Sequence, residues 1–375
     1  MNDLLKKYRR DLHQIPELEF DLFLTHAYVK KTLESFGYQT ETVAKTGLIA
    51  VKKGRIQEAI AFRSDMDALP VTEKCDIDFK SKHDGKMHAC GHDGHMSMLL
   101  GFAKYIATVK QLNKTVVFIF QPAEEGPGGA KIIVESGVLK KYHVKQILGL
   151  HVFPGIEQGK MGFANGPMTA QNGEFDITIK AKSAHGAQPH LGSDAIIAQA
   201  HLVQAFQSIV SRNINPLKPA VITIGTVHGG EARNIIAGEV ELSGTLRVYD
   251  QDVYDLIKKR MYDISKGLSI AFNVDIKCQI VDYYPAVIND ESLFDLALKQ
   301  YDSSEYEVVE PLMIAEDFAF YLQEVPGMFA FVGTKNVEKN YVYPLHSNLF
   351  NFDEDILEIG FTYYIKMAKA LQILL

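Results

Sequence analysis

The run Thr115-Val116-Val117-Phe118-Ile119-Phe120 is apolar, β-branched and aromatic throughout, and reads as a buried strand. It runs into Gln121-Pro122-Ala123-Glu124-Glu125-Gly126-Pro127-Gly128-Gly129, which sets two adjacent carboxylates at a strand end inside a loop shaped by proline and glycine. Earlier in the chain, His88-Ala89-Cys90-Gly91-His92-Asp93-Gly94-His95 concentrates three histidines, a cysteine and an aspartate in eight residues. Soft and borderline ligands in one loop, with hard carboxylates at a strand end, suit a divalent cation, most naturally zinc.

The surrounding pattern predicts strands alternating with helices. Apolar spacing over residues 3–36 predicts two helices broken at Ile15-Pro16, because proline disfavours helix in the residue before it. Strands are expected at Thr46–Val51, Ala59–Arg63, Val116–Phe120 and Gln146–Val152, and helices at Met96–Val109 and Ala130–Ser136. This alternation implies an α/β layer with a partly parallel sheet. Ligands in such sheets sit beyond the carboxyl ends of strands, where Asp65, Glu124 and His151 fall.

A Gly/Asn/Thr-rich stretch at 162–173 changes the texture. The strands and helices expected after it (strand Glu174–Ala181, helix Asp194–Ser211, strands Ala220–Val227 and Ile235–Arg247, helix Asp252–Ile270, strand Val274–Tyr283) follow the β-α-β-β-α-β order of a ferredoxin-like α+β sandwich. The expected organisation is a mixed-sheet α/β domain made of residues 1–168 and 285–375, with residues 169–284 inserted as a second domain.

The 375 residues and the net charge of -7, with no basic block, argue for two domains and against a nucleic-acid partner. No run of about 18 uncharged apolar residues occurs, so no membrane span is expected. The start Met1-Asn2-Asp3-Leu4-Leu5-Lys6-Lys7 lacks the apolar core of a signal peptide. Cys75, Cys90 and Cys278 cannot build a disulfide framework, and a reducing cytoplasm fits best.

Several side chains could carry chemistry. Cys90 and His92 can leave one tight turn as zinc ligands, while a protease-type nucleophile at Cys90 would need a neutral histidine base instead. Glu124 and Glu125 leave a strand end in different directions, so one can bind metal while the other faces substrate. Asp65 and Asp67 could ligate metal or orient a ligating histidine. His151 closes a strand, and His346 lies in Pro344-Leu345-His346-Ser347. In the insert, His185 could donate to a tetrahedral oxyanion and Arg247 could pair with a substrate carboxylate. Spacing alone would leave His185, Asn234 and Arg247 as surface residues.

Together these blocks, from Arg9-Arg10-Asp11-Leu12-His13-Gln14-Ile15-Pro16-Glu17 to Pro344-Leu345-His346-Ser347, resemble the zinc aminoacylase/carboxypeptidase family over nearly the whole chain. The amidohydrolase branch is most similar: hippurate hydrolases, indole-acetyl-amino-acid hydrolases and N-acetyl-diaminopimelate deacetylases. The resemblance implies that Cys90, His92, Glu125, His151 and His346 hold two divalent ions, zinc or else manganese, cobalt or nickel. It implies Glu124 as general base and then acid, and Asp67 as the aspartate behind the ligands. Asp65 stands where relatives outside this branch carry a ligating histidine. His185, Asn234 and Arg247 match substrate-contacting positions of an insert that in the family forms dimers and acts as a lid, with His185 able to reach the partner's site.

Gly126-Pro127-Gly128-Gly129 and Ser211-Arg212-Asn213-Ile214-Asn215-Pro216 resemble the acetyl-diaminopimelate deacetylases, enzymes of lysine biosynthesis. Tyr284-Pro285-Ala286-Val287-Ile288-Asn289-Asp290 is more like general N-acyl-amino-acid hydrolases. The expectation is a cytoplasmic, homodimeric, metal-dependent amidohydrolase that removes a small acyl group from an amino acid, with N-acetyl-diaminopimelate as candidate substrate. A hippurate-type hydrolase, a dipeptidase or carboxypeptidase on the same site, and a non-catalytic scaffold are the alternatives.

Overall fold

The computed structural model describes residues 1–374, which divide into two compact units. Met1–Met168, Val287–Pro311 and residues 317–374 make the first; Thr169–Ala286 and Leu312–Glu316 make the second.

The first unit is built on an eight-stranded sheet. Its order is Thr40–Val43, Gly47–Lys52, Thr115–Gln121, Ala59–Asp65, Val144–Glu157, Gly327–Lys335, Met161–Phe163 and Tyr306–Val308. The four strands from Thr115–Gln121 to Gly327–Lys335 run parallel, and Gly47–Lys52 and Met161–Phe163 pair antiparallel with this block. Every residue of Ala59–Asp65 and Thr115–Gln121 is buried, as strands covered on both faces must be. The helix His92–Thr108 lies on one face, with Asn2–His13 and Ile356–Ala370 packed against it. Phe102 of that helix meets Phe62 and Phe118 from the sheet and stacks on Tyr364.

The central strand Ala59–Asp65 has the next strand of the block on one side and Val144–Glu157 on the other. Between these neighbours the chain reverses its direction of travel across the sheet, and a reversal of this kind opens a crevice at the carboxyl ends. Asp65 pairs in register with Gln121, while Arg63 pairs with Gly149, so Asp65 and His151 stand at the same height.

The sequence predicted the first long helix from Met96, but it begins at His92. Gly91 takes φ 84°, which turns the chain straight into the helix, and Asp93 in the first turn complements the helix dipole. His92 and His95 therefore share one helical face rather than a loop.

The second unit is a four-stranded antiparallel sheet ordered Ala220–Gly229, Glu239–Val248, Gln171–Lys180, Asp275–Asp282. The helices Ala195–Asn213 and Gln251–Phe272 bury Leu202, Phe206, Ile257 and Met261 with Phe175, Ile177 and Leu246 of the sheet. Asp194 and Asp250 cap these helices by accepting from backbone N–H groups of the first turn. Chain order and strand order are those of a ferredoxin-like sandwich. The strand expected at Ile235–Arg247 is in fact two: Ile235–Ile236 pairs with Ala184–His185, and Glu239–Val248 joins the sheet. Gly238 makes the break, where a Cβ would lie 2.4 Å from Ser183 Oγ. Leu312–Glu316 joins this unit through the Ala170 N–H, which donates to Ile314 O at 2.8 Å. Among the described residues, no helix is long and apolar enough to cross a membrane.

Candidate metal centre

Five of the side chains singled out in the sequence converge at the carboxyl end of the parallel strands. Cys90 Sγ lies 3.4 Å from His151 Nε2 and 3.5 Å from His346 Nε2. Glu125 Oε1 lies 3.2 Å from His346 Nε2 and 3.9 Å from His92 Nε2. Cys90, His92 and Glu125 each offer a ligand atom within 4.8 Å of the others. The turn at Gly91 permits this, because a Cβ there would sit 2.4 Å from Val152 Cγ2. The His346 N–H donates to Ala89 O at 2.9 Å, which seats that residue beside the Cys90 loop.

The donors fit a divalent cation. Both ring nitrogens of His92 are buried without a hydrogen-bond partner among the described residues, and the nearest carboxylates stand at 3.6–3.9 Å. Orphaned polar atoms are rare in a packed interior, and a cation among a thiol, imidazoles and a carboxylate would satisfy these. His151 Nδ1 donates to Val152 O at 2.6 Å, which leaves Nε2 to face Cys90. His95 belongs to a cluster with Asp65, His92 and His151, yet both of its nitrogens are taken. Its Nε2 accepts the Val152 N–H at 2.9 Å, so its Nδ1 carries the proton and donates to Asp65 Oδ1 at 2.6 Å.

Charge at the site follows from this geometry. Burial works against a proton on His92, but the carboxylates of Asp65, Asp67 and Glu125 outweigh it and hold the imidazolium up to about 10. The same field would favour a metal cation. Burial pushes His151 well below its ordinary value, with His95 and His92 adding to the effect, so its ring stays neutral. Burial, then the Glu125 and Glu124 carboxylates, raise the Cys90 thiol well above its ordinary value. Cation binding would reverse that, since a coordinating thiol is deprotonated.

The two aspartates lie behind the cluster. Asp67 Oδ1 accepts the Glu124 N–H at 3.0 Å and its Oδ2 accepts the Glu125 N–H at 2.9 Å. That pair of bonds fixes the apex of the loop, with Glu125 in the cluster and Glu124 buried beside it. Asp65 is held by His95 on one oxygen and by Arg63 Nη1 at 2.8 Å on the other. Burial opposes its charge, but His92, His95 and Arg63 keep its carboxyl well below the ordinary range.

The three candidates in the insert do not come together. The Gly186 N–H donates to Asn234 O at 2.7 Å, and His185 pairs with Ile235, so His185 and Asn234 are neighbours. Arg247 pairs with Asn172, at the far end of strands whose near end pairs Glu239 with Lys180. Eight strand residues separate the two ends, roughly 25 Å. Arg247 is half-buried and its Nη1 donates to Thr245 Oγ1 and Leu246 O.

Sequence reasoning gave no role of their own to His95 and Gln121, which it noted only within their motifs, and missed Arg63 and Asp317. Arg63 is fully buried and donates to Gln121 Oε1 and Asp317 Oδ1 as well as to Asp65. The one available signal was an arginine at the end of an apolar strand, since a charge buried there must be paired. A cavity of about 710 Å³ lined by Ile49, Lys53, Arg55, Thr115 and Lys141 contains none of the candidate residues.

Residues 61–370 match the model of peptidase family M20/M25/M40. An uncharacterized hydrolase of Staphylococcus epidermidis (strain ATCC 12228 / FDA PCI 1200) is 38% identical over 378 residues, covering 98% of this chain and 99% of its own. A crystal structure of a Bacillus subtilis protein, YXEP, described as a dinuclear metal binding peptidase of the M20 family, is 32% identical. It superimposes with a TM-score of 0.86 over 99% of this chain and 98% of its own. A protein from methicillin-resistant Staphylococcus aureus is 34% identical, with a TM-score of 0.93 over 99% of this chain and 97% of its own. With this fold and this donor cluster, the chain belongs to peptidase family M20/M25/M40, as a metal-dependent hydrolase of amide bonds.

Proposed function

We propose that this protein hydrolyses the amide bond of N-acyl amino acids, with N-acetyl-diaminopimelate as the leading candidate substrate. The observation that carries the reading is the separation of Glu124 from Glu125 by Asp67. One carboxylate joins a cluster of thiol and imidazole donors, and its neighbour is held beside it.

Cys90, His92, Glu125, His151 and His346 are the residues that would hold two divalent ions, zinc by donor chemistry or else manganese, cobalt or nickel. Bound there, such ions lower the pKa of water and polarise a carbonyl oxygen. Glu124 takes the proton from the attacking water and returns it to the leaving amine, while Asp67 and Asp65 orient the groups around it. Arg247 binds the free carboxylate of the substrate. His185 donates to the developing oxyanion, with Asn234 beside it.

Arg247 and the His185/Asn234 pair lie at opposite ends of one insert, too far apart for a single acyl amino acid to touch all three in one copy. This supports a homodimer through the insert, in which His185 and Asn234 complete the partner's site. Three free cysteines suit a reducing, cytoplasmic setting.

The test is release of the acyl group from N-acetyl-diaminopimelate and a panel of N-acetyl and N-benzoyl amino acids and dipeptides, with several added metals. Glu124→Gln should keep its metal and lose about 10²–10⁴-fold in kcat. Full turnover by that variant would remove the mechanism, and a preference for dipeptides would replace the deacylase by a peptidase.

A further inference from the structure

The loop from Gln121 to Ala130 carries Glu124 and Glu125, and its two ends meet. A Cβ at Gly129 would sit 1.8 Å from the Pro122 carbonyl oxygen. The Gly128 and Gly129 N–H groups both donate to Ala123 O, at 3.2 and 3.0 Å. At this neck stands the fully buried carboxylate of Asp317, 196 positions beyond Gln121. It accepts from Gln121 Nε2 on both oxygens at 2.8 Å, from the Ala130 N–H at 2.9 Å and from Arg63 Nη2 at 2.8 Å. Asp317 and Glu124 also bring carboxylate oxygens within 4.8 Å of each other.

We infer that Asp317 is a positioning residue for the general base: by clasping both ends of the carboxylate loop and tying them to Arg63, it sets where Glu124 stands relative to the metal ligands. The inference rests on the role given to Glu124 above. Asp67 grips the apex of the loop and so fixes how the two glutamates diverge. It does not by itself fix how the neck sits on the central strand. The Gln121 end is already paired with that strand; Asp317 brings the Ala130 end to it, because its partner Arg63 is a residue of that strand and also holds Gln121 Oε1 and Asp65 Oδ2. Asp65 in turn holds His95, so the base loop and the ligand side share one frame. Catalytic groups tolerate errors of only about 0.5 Å, so a slack neck would be felt at Glu124 before it is felt in the fold.

The test is Asp317→Asn. The amide keeps the size of the side chain but turns one acceptor into a donor, which must then face a donor of Gln121, Ala130 or Arg63. Three quantities are read: kcat and KM on the panel substrate that the wild type turns over best, bound metal per chain, and hydrogen–deuterium exchange of backbone amides. The expected result is a fall in kcat of about tenfold to a hundredfold with little change in KM. Metal content should stay at the wild-type level, and faster exchange should be confined to residues 121–130. Wild-type exchange in the loop, or a gain in exchange spread evenly over the whole unit, would overturn the inference.

Should Asp317→Asn fail to fold, Gln121→Met removes one arm of the clasp at similar volume, and the same local signature is required of it. If the wild type hydrolyses no acyl amino acid, the functional reading fails, while the exchange pattern still decides whether Asp317 clasps the loop.

Discussion

Every residue of Thr115–Gln121 is buried, whereas Gln171–Lys180 alternates buried residues with open ones along its length. The first strand lies inside a mixed sheet, parallel to one neighbour and antiparallel to the other, and is covered on both faces; the second lies in an antiparallel sheet with helices over one. The difference decides where each unit can keep its charges. In the first, Arg63, Asp65, His95 and Asp317 are wholly enclosed and held by one another. Low dielectric makes such contacts strong and makes the loss of any partner costly. In the second, Arg247 is half-buried and His185 is exposed. The covered sheet suits the rigid part of the chemistry, and the one-sided sheet suits recognition.

Removing one cation from each unit is the sharpest way to break this contrast. Arg63→Met leaves Asp65 and Asp317 enclosed without their shared cation, and should cost about 3–5 kcal/mol in urea unfolding. Lys258→Met in the insert removes an open pair with Asp282 and should cost less than about 1 kcal/mol. Equal losses in the two variants would mean that enclosure does not set the value of these charges.

A second test uses pH. His13 is buried against Asp93 and Glu73, through its Nδ1 at 2.9 Å and its Nε2 at 3.2 Å. Burial lowers its proton affinity, but the Asp93 and Glu73 carboxylates outweigh this and raise it from 6.5 to about 9. A folded-state value above the unfolded one gives stability that is fully present below about 6.5 and is lost as pH rises through about 9. The shift corresponds to about 3 kcal/mol. Asp93 feels the same interaction from the other side and is held far below the ordinary carboxyl range, so its contribution disappears only in acid. The melting temperature should therefore fall between pH 6.5 and 9. His13→Gln should start lower and lose less over that window, keeping only the fall due to other raised histidines such as His92; parallel curves for the two proteins would refute the assignment.

How much of this was legible in the sequence depended on the same contrast. The covered strands announced themselves as apolar runs, and the insert as alternation with Asp at the helix starts. The ligand candidates were legible in part: Cys90 and His92 flank a glycine and Glu125 follows a strand end, whereas His151, which lies within Val144–Glu157 and not at its end, and His346 entered through the family resemblance. The helix start at His92 was not legible, since Asp93-Gly94-His95 reads as a loop until the left-handed Gly91 is seen. Asp317 was not legible either. Its partners Gln121, Ala130 and Arg63 lie far away in the chain, and Ala315-Glu316-Asp317-Phe318 has no spacing that ties it to a strand end. The joining of Leu312–Glu316 to the insert depends on a backbone bond at Ala170, which no side-chain pattern encodes.

The smallest effect on stability belongs to the insert's own candidates, and there the comparison turns from energy to assembly. His185→Ala and Arg247→Ala alter an exposed and a half-buried side chain, and each should shift stability by no more than about 0.5 kcal/mol. Each variant alone should lose most of its activity on the N-acyl amino acid that the wild type prefers. If one copy supplies Arg247 to its own site while its partner supplies His185, a mixed dimer of the two variants has one site with both residues intact and one with neither. Unfolding and refolding the variants together in equal amounts should then restore about a quarter of wild-type activity, because half of the dimers are mixed and half of their sites are whole. If both residues serve the site of their own copy, every site in the mixture lacks one of them and nothing is restored. The recovered fraction therefore decides whether the two ends of this sheet serve one site or two.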